Sequence, residues 1–198
     1  MATKSHHHGN LCEALILSGL DLLEEGGVNA LTLRQCAVRA GVSHAAPAHH
    51  FNGLISLKAA IVARGYRIFT DTMNSASKNA AQDPHSQLLA ICHGYLEFAS
   101  KHRAVFDLMF APRNLIDPQI DEVTLAELAA KSEAAYLVLH DACQPFEHGE
   151  IGELGTETMV WSLVHGYATL FSHRKTRYGS TDELPSFDNI LPKLTLRD

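Results

Sequence analysis

Apolar residues recur at three- and four-residue spacing along most of the chain. This spacing places them on one face of a helix, whereas the strict alternation that is typical of a half-buried strand is missing. Clusters of Gly, Pro, Asn and Asp separate the periodic segments and mark turns between them. The pattern therefore predicts an all-α protein.

The N-terminal region predicts two helices joined by a glycine turn. Asn10 is the expected cap of the first helix, which Gly26 and Gly27 close. Thr32 is the expected cap of the second helix, and Gln35 stands at the capping-box position after it. Local side-chain chemistry thus predicts where these helices begin and end.

A sharp turn and a very short third helix follow. Gly41 is expected to end the second helix and Ser43 to cap the third, which cannot extend beyond Phe51-Asn52-Gly53. Pro47 removes only the first intrahelical hydrogen bond, so such a helix can tolerate it. Helix, glycine turn and short helix are together typical of a helix-turn-helix, here at about residues 32–51.

The remainder of the chain predicts helices at about 54–80, 85–101, 103–110, 119–142 and 151–175, with a final helical turn near 188–194. Near residue 66 the composition changes from rich in His, Ala and Arg to acidic and aromatic. We therefore expect an N-terminal three-helix domain of residues 1–66 and a larger helical domain of residues 67–198.

Composition is that of an ordinary globular protein, since the 198 residues are 46% hydrophobic and 19% charged. The sequence has no signal-peptide pattern and no apolar run of the ~18 residues that a membrane helix needs. Its cysteines are scattered, which favours reduced thiols over a disulfide framework; they are Cys12, Cys36, Cys92 and Cys143. We expect a cytoplasmic protein without a membrane partner.

Charge is distributed unevenly along the chain. The net charge is −6, but residues 1–65 have a balance of +1 and the remainder a balance of −7. The N-terminal domain is therefore the part that could approach a polyanion without strong repulsion. Enzymatic activity and a cofactor are not expected, because the sequence has no glycine-rich phosphate loop, nucleophile elbow or paired-carboxylate pattern.

The residue types of the helix-turn-helix suit contact with double-stranded DNA, whose major groove admits the second helix. Hydroxyls at helix N-termini can bind phosphates, arginines supply charge, imidazoles can donate to base edges, and alanines can approach thymine methyl groups. The candidate DNA contacts are Thr32, Arg34, Arg39, Ser43, His44, Ala45, Ala46, His49, His50 and Lys58.

The N-terminal segment resembles the DNA-binding domain of the TetR family of bacterial transcriptional regulators. The matching elements are an apolar first helix ending in EEGG (24–27), the block ALTLRQCAVRAGVS (30–43) and the closing HF (50–51). WSLVHGYATL (161–170) resembles one branch of the family, with a Trp-x-x-x-His-Gly motif in its ligand-binding domain. The resemblance implies an all-helical homodimeric regulator, most simply a repressor, that binds a palindromic operator and an unidentified small-molecule effector.

Three positions depart from the family pattern. Ala48 stands where the family usually has an aromatic residue that contacts the DNA backbone, and Leu54 stands where it usually has Lys. Cys12 replaces a basic residue that the branch tends to carry, while Lys58, one helical turn after Leu54, can partly compensate. Because lost cationic contacts weaken DNA binding, we expect weak or narrowly specific binding.

An effector pocket needs an apolar lining, for which aromatic and Met side chains are suited. Trp161 and His165 share one helical face, beside Gly166. One interpretation is that Trp161 and His165 contact a ligand. The alternative is that Trp161 packs in the core, His165 forms a hydrogen bond within the core and Gly166 allows close helix packing. The candidate lining residues, for which core packing is the alternative, are Phe69, Tyr95, Phe98, Phe106, Met109, Phe110, Trp161 and His165.

Two alternative functions remain open. The first is a helical small-molecule sensor or interaction module whose DNA binding is weakened at positions 48 and 54. The second is a metal-responsive regulator that uses His140, Cys143 and His148, near Glu147. His140 and Cys143 share a helical face, but Pro145 breaks the helix before His148.

Overall fold

The computed structural model describes residues 8–111, 120–148, 152, 154–177 and 185–197. In these residues the chain forms α-helices and two short 3₁₀ helices, Val28–Ala30 and Ala46–His49, and no β-strand. The all-α prediction is confirmed. The α-helices are α1 (His8–Gly26), α2 (Leu33–Arg39), α3 (Gly53–Lys78), α4 (Pro84–Lys101), α5 (Arg103–Phe110), α6 (Glu122–Cys143), α7 (Gly155–Arg177) and α8 (Phe187–Ile190). Across the described ranges, no helix is long and apolar enough to cross a membrane.

Local chemistry sets the ends of α2, as the sequence predicts. The Thr32 Oγ1 accepts a hydrogen bond from the Gln35 backbone N–H at 3.1 Å, which satisfies a donor that the first turn leaves unpaired. Gly41 follows the helix with φ of +71°, a left-handed conformation that only glycine adopts without cost. The helix therefore ends at the predicted turn.

Two predicted helix ends are wrong. Asn10 lies inside the first turn of α1 and does not cap it, because the helix begins at His8. First-turn N–H groups need no partner within the helix, so residues before Asn10 can join it. The final helix ends at Ile190, well before residue 194, and Leu191 is extended (φ −66°, ψ 118°). The residue before a proline, here Pro192, is disfavoured in the helical region.

The chain divides into two compact units. The first comprises Met1–Arg67 and Ala104–Ser132, and the second comprises Ile68–Arg103 and Glu133–Asp198. Within α3, the first unit therefore ends at Arg67, one residue after the boundary predicted near residue 66. Part of the predicted C-terminal domain, α5 and the start of α6, clusters with the first unit.

In the first unit, α1 packs against α2. Leucine is the most frequent residue of the core, and Leu15, Leu23 and Leu57 have no exposed surface. A Cβ added to Gly19 of α1 would lie 2.5 Å from Cδ1 of Ile61, so α1 and α3 approach closely at that point. Burial of these side chains is the main stabilising contribution to the unit.

In the second unit, α4 packs against α7 around Phe98, Val160 and Val164, all without exposed surface. Gly94 brings α4 close to α3, because a Cβ there would lie 2.7 Å from the Met73 Cα atom. A side chain at this position would therefore meet backbone. Glycine is what the close approach requires.

The segment after α8 is held against the end of α6. Phe146 and Leu196 form an isolated antiparallel bridge. The Glu147 N–H donates to the Thr195 carbonyl, and the Arg197 N–H donates to the Pro145 carbonyl, each at 2.9 Å. The last described residues are thus part of the second unit.

Candidate DNA interface and ligand site

The predicted helix-turn-helix forms within the first unit. α2 is followed by the turn at Gly41 and then by the 3₁₀ helix Ala46–His49. α2 packs against both α1 and the 3₁₀ helix, so the short segment rests on a formed helix. The order of elements is the one that the sequence predicts for residues 32–51.

The start of the short segment differs from the prediction. Ser43 does not cap an α-helix: the segment is a 3₁₀ helix with Ala45 at its N-cap position and no side-chain cap. Pro47 is the physical reason, because it has no N–H to donate to the Ser43 carbonyl. That carbonyl instead accepts from the Ala46 N–H at 3.0 Å, the tighter 3₁₀ pattern.

Side chains of residues 43–51, which we call the reading segment, divide between core and solvent. Pro47 and Phe51 are buried and anchor the segment. Most of the predicted DNA contacts are exposed, and three are half-buried, namely Ala46, His50 and Lys58. The exposed ones are Thr32, Arg34, Arg39, Ser43, His44, Ala45 and His49.

Part of the positive charge near this surface is already neutralised. Arg39 of α2 forms a bidentate ion pair with Glu25 of α1, with 2.7 Å between Nη1 and Oε1. The hydrogen bond from Arg39 holds the pKa of the Glu25 carboxyl below its usual value. In the described part of the chain, no acidic side chain pairs with Arg34 or Lys58. These two cations are therefore the ones available to phosphates.

A second arginine pair joins α1 to α3. Arg64 donates to both carboxylate oxygens of Glu13, and the Nη1–Oε1 distance is 2.6 Å. The Arg64 side chain is 15% exposed and that of Glu13 42%, so the guanidinium is the more deeply buried partner. The two bidentate pairs fix α1 against both helices that flank the reading segment.

The predicted ligand-lining residues fall into both units. Phe106, Met109 and Phe110 belong to the first, where the rings of Phe106 and Phe110 lie 4.8 Å apart. A Cβ added to Gly65 of α3 would lie 2.8 Å from the Met109 sulfur. These side chains pack against α3.

Phe69, Tyr95 and Phe98 belong to the second unit and are buried there. The Phe69 ring centroid lies 4.7 Å from that of Tyr95 and 5.0 Å from that of Phe98. Rings at these separations are in direct contact. The three residues are therefore part of the core.

Trp161 and His165 lie on α7 but contact different helices. His165 Nδ1 lies 2.8 Å from the Tyr95 hydroxyl of α4, and burial lowers the pKa of the imidazole. Trp161 contacts Tyr136 of α6, with 6.0 Å between ring centroids, and remains 38% exposed. A Cβ on Gly166 would meet no atom of the other described elements within 4 Å. His165 is thus hydrogen-bonded within the packing, whereas Trp161 is partly exposed and no other described element packs closely on Gly166.

The metal cluster suggested for residues 140–148 does not form. Among the described residues, no three His, Cys, Asp or Glu side chains are placed to hold a metal ion. His140 Nδ1 lies 2.6 Å from Oε2 of Glu157, which is 5% exposed. Cys143 is buried, and desolvation raises the pKa of its thiol to about 12. No sequence spacing marks the Glu157 contact, because the two residues lie on different helices.

A cavity of about 230 Å³ opens in the second unit between α4, α7 and the start of α8. Its walls include Leu96, Ala99 and Ala168. None of the predicted ligand-lining residues borders it. Sequence reasoning could not select the alanines, because the same residue type also fills tight contacts between helices.

A known domain family matches residues 88–194, more than half of the chain; its description is "Tetracyclin repressor-like, C-terminal domain". The chain belongs to the TetR family. Among curated proteins, no sequence matches it significantly. The TetR resemblance of the sequence is confirmed, while its assignment to the branch with the Trp-x-x-x-His-Gly motif stays a prediction.

Solved structures resemble this TetR-family chain over most of its length. A protein of unknown function from Rhodococcus sp. RHA1 is 26% identical, with a TM-score of 0.72 over 94% of this chain and 92% of that one. A bacterial regulatory protein in the TetR family from Rhodococcus RHA1 is 15% identical, with a TM-score of 0.58 over 91% and 90% of the two chains. The TetR family transcriptional regulator PfmR from Thermus thermophilus is 13% identical, with a TM-score of 0.51 over 89% and 91%. The last two show the fold alone.

Proposed function

We propose that this TetR-family transcriptional regulator is a ligand-responsive repressor that binds a palindromic operator as a homodimer. The observation that carries the proposal is the exposed reading segment, which follows α2 and presents the Ser43 hydroxyl and the imidazoles of His44 and His49 to solvent. Donors of these types can reach base edges and phosphates in a major groove. Arg34 and Lys58 add the phosphate contacts.

An exposed apolar surface on the second unit supports the homodimer. Leu137 of α6 is 41% exposed and Trp161 of α7 is 38% exposed. Leu154, which is 59% exposed, lies immediately before α7. Among the other described elements, no atom lies within 4 Å of where a Cβ on Gly166 would stand, and we propose that a partner helix approaches α7 there. Exposed apolar side chains mark an association surface where they form a contiguous patch, and we propose that Leu137, Leu154 and Trp161 form one.

Ligand response follows from a shift between two populations of the dimer. A palindromic operator needs two reading segments spaced about one helical turn of DNA apart. A ligand that binds better to a dimer with another spacing releases the DNA. α3 suits the connecting role, because the one helix contributes to both units.

The repressor function is tested by a mobility-shift titration on DNA flanking the protein's own gene, performed at about 50 and 200 mM salt. We expect an operator-specific shift at low salt that weakens at high salt. His44→Ala should weaken specific binding by about tenfold if it loses one base contact. The control is His148→Ala, which removes the same side chain in the second unit. If no operator-specific shift is seen at low salt, the proposed repressor function is wrong.

Light scattering coupled to gel filtration tests the homodimer. We expect a molar mass twice that of the 21.7 kDa chain. Gly166→Leu adds a side chain where no other described element of the same chain would lie within 4 Å of the new Cβ, and it holds a partner helix away, so it should shift the mass toward the monomer. Ala81→Leu, which adds a side chain of the same size in an exposed loop, is the control. A wild-type monomer would contradict the proposal.

A sensor with weakened DNA binding is the second candidate function. The observation that favours it is the small positive charge at the reading surface, where Arg39 is paired with Glu25 and the exposed Ala48 adds neither ring nor charge. Ala48→Tyr with Leu54→Lys restores the usual family residues at both positions. If operator binding appears only in this double variant, the native protein is the sensor.

A further inference from the structure

We propose that the cavity in the second unit binds an uncharged monocyclic molecule that carries one hydroxyl or carbonyl group. As an effector site it rests on the ligand response proposed above, whereas binding itself can be measured without DNA. The volume of the cavity, the fixed positions of its wall side chains and the charged groups near it each restrict the size or charge of the ligand.

Two alanines create the space. Ala99 of α4 and Ala168 of α7 both line the cavity and are each 2% exposed, so their short side chains leave unfilled volume between the helices. An apolar cavity of about 150 Å³ holds benzene. The observed volume of about 230 Å³ therefore fits a six-membered ring with one small substituent.

The outer wall is fixed by contacts of the segment that begins α8. Phe187 is 2% exposed, and its ring lies edge-on to that of Tyr167 with 5.5 Å between centroids. The Tyr167 hydroxyl donates to the Pro185 carbonyl at 3.2 Å. Both rings line the cavity, so an aromatic ligand meets aromatic faces and edges that are already ordered.

The rim selects against charge. His93 lines the cavity, and its Nε2 lies 2.6 Å from Oδ1 of Asp188, so this imidazole is already engaged by a carboxylate. A charged ligand would lose hydration against the apolar side chains of Leu96 and Phe187. The exposed hydroxyl of Ser100 and that of Ser186, which does not cap α8, can hydrogen-bond one polar substituent.

Binding to the full-length protein is tested by NMR titration with three probes of similar shape, which are benzyl alcohol, benzoate and benzylamine. We expect benzyl alcohol to bind with a Kd on the order of 1 mM or tighter, given its size. The charged probes should bind at least about tenfold more weakly, since each would leave a charge at an apolar wall.

Two variants locate the binding. Ala168→Leu fills the cavity from its floor, and Ser100→Leu narrows the mouth from an exposed position that tolerates a larger side chain. Each should weaken benzyl alcohol binding by about tenfold or more, because the ligand and the new side chain compete for one volume. Ala81→Leu, in an exposed loop, should bind as the wild type does.

The proposal is overturned if benzyl alcohol does not bind, if the charged probes bind equally well, or if Ser100→Leu binds as the wild type does. Circular dichroism shows whether Ala168→Leu is folded, and Ser100→Leu decides the result where it is not. The mobility-shift result is independent. A repressor that lacks this site would not bind benzyl alcohol but would still bind its operator in the mobility-shift assay. A ligand-binding protein that is not a repressor would bind benzyl alcohol but would not bind the operator.

Discussion

The ion pair between Glu13 and Arg64 joins α1 to α3, and Glu13→Gln tests how much it stabilises the first unit. Removing one partner of a fully buried pair costs about 3–5 kcal/mol, whereas an exposed pair contributes about 0–1 kcal/mol. The Arg64 side chain is 15% exposed and that of Glu13 is 42% exposed. Because solvent screens a partly exposed pair, the expected loss lies below the value for a fully buried pair. Gln also keeps one acceptor oxygen. We therefore expect the free energy of unfolding to fall by about 1–2 kcal/mol at pH 7.

The same pair predicts a pH dependence with a defined sign. Hydrogen bonds from Arg64 hold the pKa of the Glu13 carboxyl below its ordinary value of 4.5. The contribution is therefore fully present above pH 4.5 and is lost as the pH falls through the pKa of the folded state. The difference between wild type and Glu13→Gln should shrink accordingly below pH 4.5.

Urea denaturation followed by circular dichroism, from pH 7 down to about pH 3.5, measures both effects. Asp21→Asn is the matched control, because it removes an exposed carboxylate from the same helix and should change stability by less than about 0.5 kcal/mol. Adding Arg64→Gln completes a double-mutant cycle. A Glu13→Gln protein as stable as the control at pH 7, or a deficit that does not change with pH, would refute the reasoning.

Three further predictions concern the second unit and the thiols. Gly94→Ala should lower the free energy of unfolding by about 1–3 kcal/mol in urea denaturation, because the added Cβ would meet the Met73 backbone; unchanged stability would mean that α3 and α4 are further apart. Burial lowers the pKa of His165, so the unfolded chain binds the proton more readily and stability should fall as the pH drops below 6.5. His165→Asn should lose less stability than the wild type between pH 7.5 and 5.5, and an equal loss would contradict this cause. Ellman's reagent should label the half-exposed Cys12 quickly in the native protein and the buried Cys36, Cys92 and Cys143 only in urea; a fast phase that survives in Cys12→Ser would contradict the burial.

Helix positions and the cap of α2 could be predicted because they depend on residues close in sequence. Thr32 and Gln35 are neighbours on one helical turn, and their hydrogen bond forms in any context that lets α2 form. The prediction for Ser43 is wrong for an equally local reason, since Pro47 withholds the donor that an α-helix would need at its first bond.

The candidate ligand residues show the limit of the same reasoning. A stripe of aromatic residues predicts burial, but burial against another ring and burial beside a cavity require the same residue types. Phe69 and Phe98 lie in contact with each other, whereas the cavity is bordered by alanines that no pattern distinguishes. The space exists because two short side chains on different helices lie between α4 and α7.

The sequence by itself therefore determined the approximate positions of the helices, the order of elements in the helix-turn-helix and the family, because each depends on residue order within a few turns or on a motif read in order. Tertiary structure decided what the side chains contact. It paired Arg39 and Arg64 with glutamates of α1, joined His140 to Glu157, left Trp161 partly exposed and opened the cavity beside Ala168. The physical reason is that these contacts join residues on different helices, and the distance between two helix faces depends on the packing of every side chain between them.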